Sequence, residues 1–176
     1  MAGLINDILM ISRLEAKDAE VVVSDVRVSV LLEEIIDSLK PAAAAGQVFM
    51  HCDCQPLSIK ANPQQMKELL SNLVSNAVKY NRPGGQVWVN IREKDGNMVA
   101  RVRDNGVGIP QESLDRIFER FYRVDKGRSR KQGGTGLGLS IVKHIVNFYH
   151  GTIRVTSQLE EGTEFVVTIP LNWKDL

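Results

Sequence analysis

The sequence is poor in cysteine, and its cysteines lack the spacing of a metal site. Cys52 and Cys54 are the only two in 176 residues, and they share one face of a segment that reads as a strand. A tetrahedral zinc site needs a second pair of ligands, and neither His144 nor His150 has metal-ligand spacing to the cysteines. We therefore expect a plain strand with reduced thiols.

The sequence also lacks an excess of one charge and a long hydrophobic run. Its 22 Lys and Arg residues nearly balance 21 Asp and Glu residues, so no nucleic-acid partner is expected. No apolar stretch reaches the roughly 18 residues that suggest a membrane-spanning helix. Residues 1–12 lack the charged start and the cleavage site of a signal peptide. We expect a cytoplasmic domain without direct membrane contact.

The hydrophobic residues suffice for one core, and their spacing predicts an α+β fold with an added N-terminal helix. Ser29 is the expected N-cap of the second helix and Pro41 follows its end, although the alanines after it leave room for another turn. One antiparallel-biased sheet with helices on one face is expected. The predicted helices cover 3–16, 29–40, 63–80, 111–118 and 137–149, and the predicted strands cover 21–23, 48–53, 57–60, 86–93, 97–103, 152–157 and 164–169.

An aspartate and two glycines follow the strand predicted over 97–103. Asp104 can accept a hydrogen bond from an exocyclic amine, which adenine has and guanine lacks at that edge. Gly106 and Gly108 would let the backbone approach a flat base closely. Taken alone, however, this segment fits an Asx turn before a helix better than a base-binding site.

A glycine-rich turn precedes the helix predicted over 137–149. The run Gly133-Gly-Thr-Gly-Leu-Gly138 offers free amides and the positive end of a helix dipole to phosphate groups. It is not a P-loop, because no Gly-Lys-Ser/Thr follows, nor a dinucleotide fingerprint, because a basic loop rather than a strand precedes it. A flexible loop with a good helix start is the alternative.

Two asparagines and a lysine share one face of the helix predicted over 63–80. Asn72, Asn76 and Lys79 lie at positions i, i+4 and i+7. Asparagine is a poor residue for a helix interior, so two on one stripe need a reason. An amide oxygen with phosphate oxygens and waters is a suitable shell for Mg²⁺, and the lysine could reach a phosphate. The alternative is an ordinary polar face.

Aromatic residues beside a cationic stretch form the fourth segment. The run Phe118-Glu-Arg-Phe-Tyr-Arg123 is followed by four further lysines and arginines before residue 132. Such a segment suits a lid that packs at its base and closes over phosphates. As an isolated feature it is also typical of a solvated charge run.

In this order and spacing, the four segments resemble the motifs of the GHKL ATP-binding superfamily, in its histidine-kinase branch. Asn72–Tyr80 is similar to the asparagine box, Asp104–Pro110 to the first glycine box, Phe118–Arg123 to the phenylalanine box and Gly134–Leu139 to the second glycine box. Gly162-Thr163 is similar to the closing glycine–threonine element. The resemblance covers residues 20–171 and implies a two-layer α/β sandwich with a mixed, mostly antiparallel sheet.

The resemblance implies ATP and Mg²⁺ as cofactors and assigns a role to each matching residue. Asn76 would hold the metal and would form the catalytic set together with Lys79 and Arg123. Asp104 would read the adenine amine. The implied nucleotide-binding set is Asn72, Asn76, Lys79, Tyr80, Asp104, Gly106, Gly108, Ile109, Tyr122, Arg123, Gly134, Thr135, Gly136, Leu137, Gly138, Leu139 and Thr163.

The resemblance also implies two parts of the chain and two partners. Residues 1–17 are similar to the end of the dimerisation and phosphoacceptor helix with its linker, and residues 18–176 to the ATP-binding catalytic domain. No histidine here has the expected acidic neighbour, so the acceptor histidine is expected on a preceding helix. The implied partners are that dimerisation domain and a response-regulator receiver domain, within a parent protein anchored in the cell membrane.

The implied activity is transfer of the ATP γ-phosphate to a histidine, and two other readings compete with it. Hydrolytic members of the superfamily carry a glutamate where this chain has Asn72, which cannot take a proton from water. This difference, and the absence of a following transducer domain, weigh against an ATPase or mechanical clamp. A non-catalytic nucleotide-binding regulator, or a relative of the serine-phosphorylating anti-sigma-factor kinases, is the third reading; the helix over 3–16 weighs against the latter.

Overall fold

This computed structural model describes residues 21–124 and 135–175, so the predicted helix over 3–16 and the basic stretch over 125–134, with Gly134, lie outside the described residues. In the described chain, short 3₁₀ turns cover Gln111–Ser113 and Trp173–Asp175. The helices are α1 (Val28–Ala45), α2 (Pro63–Lys79) and α3 (Gly138–Phe148), and the strands are β1 (Ser24–Arg27), β2 (Phe49–Cys54), β3 (Ser58–Ala61), β4 (Gln86–Lys94), β5 (Asn97–Asp104), β6 (Thr152–Gln158) and β7 (Gly162–Pro170).

Five of these strands form one mixed sheet in the order β2-β4-β5-β7-β6. Strand β2 runs parallel to β4, and the other neighbouring pairs are antiparallel. Strands β1 and β3 pair antiparallel as a separate two-stranded ribbon, which the single predicted sheet does not include. Buried and exposed side chains alternate along β4, β5 and β7, so one face of the sheet meets the core and the other faces solvent.

The helices pack on the buried face of the sheet, and one hydrophobic core lies between the two layers. Leu69, Leu73 and Val74 of α2 are completely buried, as are Ala100 of β5 and Val167 of β7. The predicted α+β fold with two layers is therefore confirmed. None of the helices in the described ranges is long and apolar enough to cross a membrane.

Helix α1 and the strand before it lie at residues different from the predicted ones. The first strand is β1 rather than 21–23, and it runs directly into α1, so Arg27 rather than Ser29 occupies the N-cap position. The helix also continues through Pro41 to Ala45. Its last four alanines are strong helix formers and support the helix beyond Pro41, which lacks the N–H for one backbone hydrogen bond.

The helix predicted over 111–118 is instead a single 3₁₀ turn followed by further turns. The N–H groups of Arg116 and Glu119 donate to carbonyls only three residues back, at 2.9 and 2.8 Å. Such tight hydrogen bonding does not extend far. Ile117 is 6% exposed, so packing on the core keeps the segment in place. The other elements lie within two residues of their predicted ends.

Candidate functional site

Asp104 is the last residue of β5, and its carboxylate is buried with only 8% of the residue exposed. Its Oδ1 accepts a hydrogen bond from the Gly106 N–H at 2.8 Å. Burial raises the pKa of the Asp104 carboxyl to about 6, although the N–H groups of Gly106 and Thr163 act in the opposite direction. A buried carboxylate of this kind is an acceptor that a ligand donor can satisfy.

The two glycines after this aspartate stand where a side chain does not fit. A Cβ on Gly106 would lie 2.4 Å from the carbonyl oxygen of Tyr80, at the end of α2. Gly108 has a φ of +70°, and a Cβ there would lie 2.1 Å from the carbonyl oxygen of Gln158. The Val107 N–H donates to the Tyr80 carbonyl at 3.1 Å. The loop is therefore held between α2 and the hairpin that joins β6 to β7.

A serine that sequence reasoning missed ties this loop to the hairpin. The Ile109 N–H donates to the Ser157 hydroxyl at 2.8 Å, and that hydroxyl donates to the Gly162 carbonyl at 2.8 Å. The Ser157 hydroxyl also lies 2.8 Å from the hydroxyl of Thr163. A serine on a strand carries no signal in the sequence, because its contacts depend on how β6 and β7 pair with each other.

Two cations, Lys79 and Arg123, lie close to each other. The Nε and Nη2 atoms of Arg123 are buried and have no hydrogen-bond partner among the described residues. Burial, followed by the nearby charge of Arg123, lowers the pKa of Lys79. Burial raises the pKa of the Tyr80 hydroxyl, and the Arg123 charge opposes that shift. Because buried guanidinium nitrogens without a partner are costly, this part of the site is suited to an anionic ligand.

The glycine turn before α3 packs between the phenylalanine box and helix α2. The Gly136 carbonyl accepts a hydrogen bond from the Phe121 N–H at 2.9 Å, and a Cβ on Gly136 would lie 2.9 Å from the Phe121 Cα. A Cβ on Gly138 would lie 2.5 Å from Oδ1 of Asn72 on α2. These contacts bring the start of α3 next to the segment that carries Arg123.

The start of α3 has no side-chain cap. Thr135 uses its hydroxyl to accept a hydrogen bond from the Leu137 N–H at 3.3 Å, one residue before the helix. Leu137 is completely buried and Leu139 packs against the core, so these two residues fix the helix start from its apolar side. The uncapped first-turn amides, beginning with that of Gly138, are suited to phosphate oxygens.

The residues on α2 fit a magnesium ion that is held mainly by phosphate oxygens. Asn76 is half-buried on the same helix face as Asn72, one turn further along. Asn72 donates its Nδ2 to the Glu68 carbonyl at 2.8 Å. In the described ranges no group of three His, Cys, Asp or Glu residues could hold a metal. A single amide oxygen completed by phosphates and water is an arrangement that Mg²⁺ accepts.

Tyr122, a predicted site residue, packs against the segment that contains Ser113 and Arg116. Its hydroxyl donates to the Ser113 hydroxyl at 3.0 Å, and the Arg116 guanidinium lies 4.4 Å from its ring centroid. Phe118 packs edge-on against Phe165 with ring centroids 6.5 Å apart. The phenylalanine box is thus fixed at its base, and sequence reasoning gave no indication of the role of Ser113.

The comparisons with known proteins agree with this fold. Residues 61–172 match the family described as "Histidine kinase-, DNA gyrase B-, and HSP90-like ATPase", and the chain belongs to this family. The solved structure of full-length ShkA in complex with AMPPNP is 30% identical with a TM-score of 0.81, over 96% of this chain and 35% of that one. The expected histidine-kinase type of ATP-binding fold is confirmed.

Two curated relatives are named sensor kinases. Sensor protein kinase WalK of Staphylococcus haemolyticus is 34% identical over 172 residues, which are 97% of this chain and 28% of that protein. Sensor-like histidine kinase SenX3 of Mycolicibacterium smegmatis is 36% identical over 171 residues, 97% of this chain and 44% of that protein. The chain thus spans less than half the length of these relatives.

Proposed function

We propose that this chain is the phosphoryl-donating domain of a sensor histidine kinase. It binds ATP with Mg²⁺ and presents the γ-phosphate to a histidine on a dimerisation and phosphoacceptor domain. The phosphohistidine then supplies an aspartate of a response-regulator receiver domain. The parent protein is anchored in the cell membrane, as the sensor role of the named relatives suggests.

One observation carries this proposal: Arg123 has two buried nitrogens without a partner, and Lys79 lies close enough for the charge of Arg123 to lower its pKa. A fold bears the cost of such a cluster when a ligand of opposite charge completes it. The phosphates of a nucleotide supply that charge. The buried carboxylate of Asp104 supplies the acceptor for an adenine amine.

The proposed roles follow from where each residue lies. Asp104 binds the base, and Gly106 and Gly108 let the loop that follows Asp104 pack against Tyr80 and Gln158. Arg123, Lys79 and the amides at the start of α3 neutralise the phosphates. When bound, Mg²⁺ held by Asn76 withdraws charge from the phosphate oxygens. Catalysis in this proposal is positioning and charge neutralisation, because phosphoryl transfer to a histidine needs little covalent chemistry from the donor domain.

A calorimetric titration of this chain with nucleotides tests the proposal. We expect ATP binding that needs Mg²⁺ for full strength, and much weaker GTP binding because Asp104 faces an oxo group instead of an amine. Arg123→Ala should weaken ATP binding about 10-fold or more, the usual cost of losing hydrogen bonds to a charged group. Arg154→Ala, on the exposed face of β6, is the matched control and should bind ATP like the unchanged chain.

If the folded chain binds neither ATP nor its analogues, the proposal is refuted. The competing reading, an ATP-hydrolysing machine, predicts steady-state release of phosphate by the chain alone. We expect only very slow release, because Asn72 stands where a hydrolytic relative needs a general base. In the parent protein we expect an acid-labile phosphate on a histidine.

A further inference from the structure

The hydroxyl of Ser157 makes three contacts, which together use all of its hydrogen-bonding capacity. A serine hydroxyl can donate one hydrogen bond and accept two. The Gly162 carbonyl, at 2.8 Å, can only accept, so the single proton of Ser157 is donated there. The Ile109 N–H, at 2.8 Å, can only donate, so it occupies one acceptor position. One acceptor position remains on the serine.

This count decides the direction of the contact between Ser157 and Thr163. Their hydroxyl oxygens are 2.8 Å apart, a distance that requires a proton between them. Since Ser157 has already donated its proton, Thr163 is the donor. The Thr163 hydroxyl is thereby left with lone pairs only, and it can act toward any ligand solely as an acceptor.

The register of the sheet puts this acceptor beside Asp104. Thr163 pairs directly with Asp104 across the β5–β7 ladder and with Ser157 across the β6–β7 ladder. Paired residues project from the same face of a sheet, so the three side chains form a row. Both Asp104 and Thr163 are buried, at 8% and 7% exposure. The row thus ends in two side chains that act as acceptors, a carboxylate and a hydroxyl.

We propose that Ser157 is a positioning residue that holds Thr163 as an acceptor and so sets the preference of the site for a purine with an amino group at position 6. The inference rests on the proposed function, because it concerns the base of the nucleotide. A 6-amino group donates to both acceptors. A 6-oxo group presents a lone pair to both, and Thr163 cannot turn its proton toward it without leaving Ser157.

The test compares ATP with inosine triphosphate, which carries an oxo group in place of the 6-amino group and has no 2-amino group. Titrations with Mg²⁺ present are made on the unchanged chain and on Ser157→Ala. We expect Ser157→Ala to bind ATP about 3- to 10-fold more weakly, the scale of one lost neutral hydrogen bond. Its affinity for inosine triphosphate should not fall, because the freed Thr163 can donate to the oxo group.

A change in the ratio of the affinity for ATP to the affinity for inosine triphosphate supports the proposal. An equal loss of affinity for both nucleotides overturns it, because a serine with a purely structural role would weaken the site for either base. Thr152→Ala, an exposed position on the same strand, is the matched control and should keep the ratio. In a Thr163→Val background, Ser157→Ala should change the ratio no further, because the serine acts through that hydroxyl.

A replacement variant and the behaviour of the unchanged chain separate the remaining outcomes. If Ser157→Ala fails to fold by circular dichroism, Ser157→Cys replaces it, since a thiol fills the space but is a weak donor and acceptor. An unshifted ratio in that variant overturns the proposal. If the unchanged chain binds neither nucleotide, the proposed function itself fails. If it binds ATP but the ratio is insensitive to Ser157, only the role of the serine is refuted.

Discussion

Asp104 shows at the level of one residue how a binding site costs stability. Its carboxyl has a pKa of about 6 in the fold against an ordinary value of 3.8, because burial disfavours the charge. Between these two values the folded protein binds more protons than the unfolded chain. The contribution of Asp104 to stability therefore falls as the pH rises from about 4 to 6, and it stays low at neutral pH.

From this we predict that Asp104→Asn stabilises the chain without nucleotide at pH 7. The amide keeps the size of the side chain and an acceptor for the Gly106 N–H but carries no charge to desolvate. The gain in free energy of unfolding should be about 1–3 kcal/mol at pH 7 and should disappear below about pH 3, where the carboxyl is neutral in both states. Urea denaturation at several pH values measures it.

The same variant should lose ATP affinity while it gains stability. A stabilised protein with unchanged ATP binding would contradict the assignment of Asp104 to the base. A destabilised one would show that the charge is satisfied by a partner inside the fold. Stability and function commonly trade against each other in this way at binding sites.

The contact between α2 and α3 has its own anchor at the level of elements. Tyr149, completely buried at the end of α3, accepts a hydrogen bond from the Asn62 N–H at 2.9 Å and donates to the Gln65 side chain. Asn62 caps α2 by accepting from the Gln65 N–H at 3.0 Å. Burial raises the pKa of the Tyr149 hydroxyl to about 12, so it is neutral when it makes these bonds. One hydroxyl thus joins the start of α2 to the end of α3.

We predict that Tyr149→Phe destabilises the chain by about 1–3 kcal/mol. It keeps the ring but leaves the partly buried N–H of Asn62 and the buried amide of Gln65 without their partner, which is the costly way to lose a hydrogen bond. Thermal or urea unfolding measures the change. Phe148→Leu, at a partly buried neighbour without a hydroxyl, serves as the comparison. An effect of Tyr149→Phe within experimental error would mean that water replaces the hydroxyl.

The molecule as a whole encloses a site that joins distant parts of the chain. Helix α2 contributes two asparagines and a lysine, strands β5 and β7 contribute Asp104 and Thr163, and the segment before α3 contributes Arg123. A ligand that contacts all of them binds the folded chain and not the unfolded one. Binding therefore adds to global stability according to its affinity and concentration.

Accordingly, we predict that ATP with Mg²⁺ raises the unfolding temperature in a concentration-dependent way. At 100 times the dissociation constant the added stability should be about 2.7 kcal/mol. Scanning calorimetry with and without Mg²⁺ measures the effect, and Arg123→Ala should need a correspondingly higher ATP concentration for the same rise. A transition temperature that does not respond to ATP would contradict binding at this site.

Much of the fold and of the site could be predicted from the residues in order. Helix α2 has a strong local signal, since Asn62 and Pro63 start it and its apolar residues follow helical spacing. The sequence singles out the glycines at 106 and 108 for an approach to a base, whereas in the structure the carbonyls of Tyr80 and Gln158 occupy the space that a Cβ would need. The 3₁₀ turn in place of a helix over 111–118 could not be predicted, because packing on the core rather than helix propensity determines the conformation of that segment.

The sequence by itself determined the α+β class, the helices and strands with clear periodicity, and the residues that resemble nucleotide-binding motifs. These depend on neighbours within one or two turns or on the chemistry of a single side chain. Only the tertiary structure decided the β1–β3 ribbon, the parallel pairing of β2 with β4, the unpartnered nitrogens of Arg123 and the row from Ser157 to Asp104. Each of these depends on strand register and on packing between segments far apart in the chain, so no local pattern encodes it.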